Sequence, residues 1–233
     1  METLMNTFID YVPLATTALS AVFAAHMFTH YRERPSRHIL WWTVGVVTFG
    51  LGTLSESLHA LFGLNPTNLR FWYAVGALWG GFPLAQGSVW LLMPKRFATW
   101  SSRIAVGYLA TATILVALSP VSVNPDAALR LTGSHLEWSW LRLLSIPLNL
   151  YAFIFLVGGA WLSARRYRGR NTARWLGNLW IAAGGLLPGI GGSFTRAGYV
   201  EVLFATEFIG LCFIFIGYRT IRAESKALHL ARI

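Results

Sequence analysis

The residues of this chain with the greatest chemical capacity are the few ionisable groups inside its apolar stretches: Glu56, His59 and Glu207. A charge at the bilayer centre costs about 2.5–3.5 kcal/mol on insertion scales, so such groups point to ligand or proton handling, or to pairing between helices. Glu56 lies seven residues before the outer end of the second apolar stretch. At the helical rise that puts it roughly 10 Å below the end, and Glu207 reaches a similar depth from the start of the last stretch. Tyr73, Arg142, Asn149, Arg196 and Glu201 stand near the same level. The expectation is an outward-facing polar pocket built from these residues, taking a small amphipathic or ionic ligand. The competing expectation is a set of buried pairs, such as Glu56 with Arg142 or Arg196, that fixes helix register. Arg196 and Glu201 lie shallower than Glu207, so Glu207 is expected to be protonated at rest or to share a proton with Glu56, with binding or transport that varies with pH.

Other chemistry is less supported. Within Glu56-Ser57-Leu58-His59, neighbours one and two apart do not face each other on a helix, so no catalytic triad is read there. Glu56 and His59 share a face and could act as an acid/base pair on a lipid headgroup. His26 and His30 form an i,i+4 pair with Glu33 and His38 beyond, but no third ligand stands at diagnostic spacing, and interfacial histidines have the same pattern. No residue is assigned a catalytic or metal-binding role. No cofactor follows from the residues. With no phosphate-binding motif and no convincing nucleophile, the reading leans away from an enzyme.

These side chains must be positioned by membrane helices. Hydrophobic residues make up 55% of 233 and charged residues 12%, which excludes an ordinary soluble domain. Seven apolar stretches, about 10–31, 39–63, 71–93, 103–123, 141–163, 175–195 and 199–219, each approach the span length. Fifteen of 19 Lys and Arg fall in alternate gaps: Arg32/Arg34/Arg37, Lys95/Arg96/Arg103, Arg165–Arg174 and Arg219–Arg232. Basic residues in short loops stay on the cytoplasmic side. The fold class expected is therefore all-α: one polytopic bundle of seven transmembrane helices over 1–233, N-terminus outside, C-terminus cytoplasmic, in the plasma (inner) membrane. Glu2 and Asp10 precede the first stretch and the basic residues follow it, so it reads as a retained helix rather than a signal peptide. Residues 220–233 form a basic tail that should continue the last helix. The net charge of +10 serves topology and anionic headgroups, and no nucleic-acid partner is expected. Cys212 is the single cysteine, so no internal disulfide can form.

Small residues mark the expected contacts. Gly45, Phe49, Gly52, Glu56, His59 and Gly63 share one helix face, as do Tyr73, Gly76, Gly80, Pro83, Gly87 and Trp90, so helices two and three should pack closely. Gly184-Gly185, Pro188-Gly189 and Gly191-Gly192 predict the least regular helix in segment six. In outer Asn124–Trp140, Glu137-Trp138-Ser139-Trp140 suits an interfacial hairpin or short helix.

Seven helices, an outer N-terminus, Trp79 with Pro83 and Trp180 with Pro188 look loosely similar to the microbial rhodopsins. That family's retinal is held by a lysine in helix seven. Here the only lysines are Lys95 and Lys226, and Glu207 stands about where that lysine would be, so retinal Schiff-base chemistry is excluded. Three functions compete: a binding or transport module, a lipid-modifying enzyme using Glu56 and His59, and an accessory subunit pairing with another membrane protein.

Overall fold

A computed structural model of the protein describes residues 11–122, 131–196 and 199–230. Among them the regular elements are all helical, and a single antiparallel bridge joins Val121 to Leu136. The chain divides into two compact units, Met1–Ala152 and Phe153–Ile233, each described by itself.

In the first unit, α1 (Val12–Glu33) and α2 (Arg37–Phe62) form a hairpin. Close packing between them comes from small side chains: Thr17 Oγ1 and Thr53 Oγ1 lie 3.0 Å apart, and a Cβ added to Gly50 would stand 2.8 Å from the Ser20 Cβ. Gly63, at φ 78°, ends α2 in the left-handed region that other residues avoid. Asn65 then caps α3 (Pro66–Trp72) by accepting from Thr67 and Asn68 N–H, and Pro66 occupies a first-turn site where no N–H is needed. A π-helical turn, Tyr73–Leu78, follows before α4 (Phe82–Leu92) and α5 (Lys95–Leu118). Short 3-10 turns at Gly133–His135 and Ser139–Leu144 lead into α6 (Ser145–Ala152). Tyr73, Leu78, Phe82, Leu109, Leu136, Leu141 and Leu148 are buried together at the centre of this unit.

Helices two and three meet as the glycine stripes predict. An added Cβ on Gly52 would lie 3.3 Å from the Gly76 Cα, and one on Gly45 would lie 2.8 Å from the Leu84 backbone nitrogen. Where lipid supplies no hydrophobic drive, such backbone proximity is what allows helices to associate.

The second unit continues with a π turn, Phe153–Gly158, then α7 (Gly159–Tyr167), α8 (Thr172–Arg196) and α9 (Val200–Leu230). Asn171 caps α8 by accepting from the Arg174 N–H at 2.8 Å. Arg174 Nε lies 3.5 Å from Glu224 Oε2, and Asn171 also donates to Glu224, so the base of α8 is tied to the end of α9. Where the least regular helix is expected, α8 runs unbroken through Pro188. Irregularity appears instead at the two π turns.

Among the described residues, five helices are long and apolar enough to cross a membrane: Val12–Glu33, Arg37–Phe62, Lys95–Leu118, Ser139–Tyr167 and Val200–Ser225. Large apolar side chains point outward, among them Ile104 at 68% exposure and Leu162 at 65%, a surface suited to lipid and not to water. The chain is an integral membrane protein on these grounds. The stretch expected at 71–93 is interrupted between Trp72 and Phe82, and α8 carries six glycines and Asn178 that dilute its apolar character. Of the expected basic tail 220–233, α9 continues to Leu230, and residues 231–233 lie outside the described residues.

Candidate functional site

Glu56 stands on α2 about four residues after the close approach of Gly52 to Gly76, and only 4% of it is exposed. Trp72, the last residue of α3, donates its indole N–H to Glu56 Oε1 at 2.9 Å. The contact follows from the local fold. Gly76 has no side chain, and the space its Cβ would enter lies 3.6 Å from the Trp72 indole nitrogen, so the ring lies over the π turn and reaches α2. A buried carboxyl group needs hydrogen-bond partners to offset lost hydration, and the indole supplies one.

The backbone beside this contact is irregular. Trp79 N–H reaches back to the Ala74 carbonyl at 3.0 Å, the five-residue step of a π turn, a feature that recurs at functional sites. Around it, Ser55 Oγ donates to Asn68 Oδ1 at 2.8 Å while Asn68 Nδ2 donates to the Ser55 carbonyl at 2.9 Å. Arg70 Nε donates to the Ser119 carbonyl at 3.1 Å, tying α3 to the end of α5. His135 is fully buried and its carbonyl accepts from Ser122 N–H, while Glu137 N–H donates to the Pro120 carbonyl, so residues 135–137 pair with the residues that follow α5.

The residues expected to form a pocket are placed as follows. Glu56 accepts from Trp72, whose ring centroid is 6.2 Å from that of its chain neighbour Tyr73. Tyr73 is buried, and Gly133 fits between its ring and the Arg142 side-chain stem: an added Cβ would lie 2.6 Å from one and 3.5 Å from the other. Arg142 is exposed and donates from Nε to the Ser139 carbonyl at 3.2 Å. His59 is half-buried one turn after Glu56, and Asn149 is exposed on α6. Glu201 and Glu207 belong to α9 in the second unit, the first exposed in the opening turn and the second half-buried one turn before Gly210. Arg196 ends α8, and its side chain lies outside the described residues, as do Asp126 and Arg130. His26 Nδ1–H donates to the Val22 carbonyl at 2.9 Å.

A second polar centre has no counterpart among the expected residues. Gln86 on α4 is fully buried and donates to the Ala98 carbonyl at 3.1 Å, to Ser101 Oγ at 3.1 Å and to Ser102 Oγ at 2.8 Å. Its oxygen accepts from the Tyr151 hydroxyl at 2.6 Å. Trp90 N–H joins at 3.0 Å to Ser102 Oγ. The knot links α4, α5 and α6, and its satisfied partners mark it as structural. Its sequence signal is faint: an uncharged glutamine in an apolar run, with serines a dozen or more residues away.

Comparison of the chain with protein families, curated proteins and solved structures gave no match.

Proposed function

We propose that the protein is an integral-membrane binding or transport module in which the groups around Glu56 take a small amphipathic or ionic ligand in a proton-linked manner. In this reading the chain crosses the plasma membrane seven times, with its N-terminus outside and its C-terminus in the cytoplasm. One observation supports it above others: a buried carboxylate, bonded to an indole, adjoins a π turn in a membrane-spanning unit. In lipid, both an ionisable group and irregular backbone are costly, and both persist where they line a cavity or a pathway. Their coincidence within one contact favours a ligand site over two unrelated packing solutions.

The test is native mass spectrometry of the protein purified in mild detergent, with Glu56→Gln alongside. A small molecule retained by the parent and lost from a folded Glu56→Gln supports the reading. A modified lipid released on incubation would favour the lipid-modifying enzyme with Glu56 and His59 as acid and base. A second membrane protein retained in fixed ratio would favour the accessory subunit.

A further inference from the structure

The turn between α1 and α2 forms a small recess of about 200 Å³ lined by Tyr31, Pro35, Ser36, Arg37 and Leu40. We propose that this recess is a binding site for the phosphate headgroup of an anionic phospholipid. Arg37 is the centre of it. Its guanidinium carbon lies 4.6 Å from the Trp90 ring centroid, a cation–π stack. Stacking occupies the flat face of the guanidinium and leaves its N–H edge open, the edge that fits a phosphate bidentately. Trp90 is itself held by its bond to Ser102, and Ser102 by Gln86 and the Ala98 carbonyl. The buried knot thus fixes the platform on which Arg37 rests, so its side chain is ordered before any ligand arrives.

The surroundings suit an anion. Ser36 precedes α2 with extended backbone and makes no side-chain cap, so the first N–H groups of a 26-residue helix open beside it. Arg32 and Arg34 are exposed on the same turn, against one carboxylate, Glu33. The anion is assigned to a lipid and not to free solute for two reasons. The turn joins two helices that each qualify as membrane spans, so it lies at headgroup level. Leu40, 42% exposed, forms one wall and offers an acyl chain an apolar path away from the recess.

The experiment titrates delipidated, detergent-purified protein with dioleoylphosphatidylglycerol or dioleoylphosphatidylcholine and reads bound lipid by native mass spectrometry. The parent should retain phosphatidylglycerol in preference to phosphatidylcholine. Arg37→Lys keeps the charge and loses the planar fork, and should weaken phosphatidylglycerol binding by about ten-fold, through loss of one of the two charge-assisted hydrogen bonds that the fork makes to a phosphate. Arg34→Lys should bind as the parent does. The proposal is overturned if Arg37→Lys binds like the parent, since the site is then diffuse charge. It is equally overturned if phosphatidylcholine is retained as well as phosphatidylglycerol, or if inorganic phosphate at matched concentration displaces the lipid completely. Thermal melting of each variant checks folding, and should Arg37→Lys fail to fold, the parent's lipid preference with the phosphate competition still decides.

Discussion

Gly184 on α8 and Gly210 on α9 are reciprocal: each presents its Cα hydrogen to the other's carbonyl oxygen, and a Cβ added to Gly210 would stand 2.7 Å from the Gly184 oxygen. The Gly184 carbonyl is the one Pro188 leaves without its helical donor. Gly210 therefore covers a backbone group that lipid could not satisfy, and α8 stays continuous where a proline and flanking glycines would otherwise break it. Gly177 and Gly217 repeat the arrangement, and Gly191 meets Leu203 and Thr206 further along. The participating glycines recur every seven residues on both helices.

Gly184→Ala should accordingly destabilise the second unit by about 1–3 kcal/mol, because its new methyl group meets the Gly210 carbonyl and the Ile214 nitrogen, backbone that cannot swing aside as the Ile214 side chain can. Gly192→Ala, with nothing within 4 Å, should be neutral or slightly stabilising. Thermal melting in one detergent separates them, and equal melting temperatures would refute the close-approach account.

Much of this framework is visible in the sequence, but unevenly. The stripe through Gly45 and Gly52 identifies the α2 contact because spacing on one helix reports its face. The seven-residue recurrence of Gly177, Gly184 and Gly191 is equally present, yet adjacent glycine pairs and Pro188 suggest a broken helix, and only the partner strip on α9 explains why it does not break. The π turns leave no mark, since inserting one residue into a helical step alters no residue type. Gln86 is likewise silent: its importance lies in partners from α5 and α6, which periodicity within α4 cannot reveal.

Gln86→Leu should lower stability by about 1–3 kcal/mol, through loss of the buried hydrogen bonds that Gln86 makes. One of them is the bond that the Tyr151 hydroxyl donates to Gln86. Adding Tyr151→Phe should recover part of the loss. A double-mutant cycle checks this, and strict additivity would show the two side chains act independently.

At Glu56, the shape-conserving Gln keeps an oxygen for the Trp72 indole, whereas Leu leaves it without an acceptor. Glu56→Gln should fold with a melting point close to the parent, and Glu56→Leu should lose about 1–3 kcal/mol. A large loss from Glu56→Gln alone would instead indicate a buried charge pair, whose rupture typically costs about 3–5 kcal/mol.

The proposed sidedness rests on the distribution of basic residues. A reporter fused after Ile233 should be active only in the cytoplasm and one inserted near Asp126 only outside. The opposite pattern would place the Glu56 end of the first unit on the cytoplasmic side and remove the outer-leaflet reading.

The central claim is that Glu56 serves a ligand. Native mass spectrometry of parent and Glu56→Gln, purified identically and shown by melting to be folded, addresses it most directly. The account predicts a small-molecule adduct on the parent that is absent from, or at least ten-fold depleted in, the variant, a difference of about 1.4 kcal/mol or more. An adduct retained equally by both proteins, or found on neither, would contradict it.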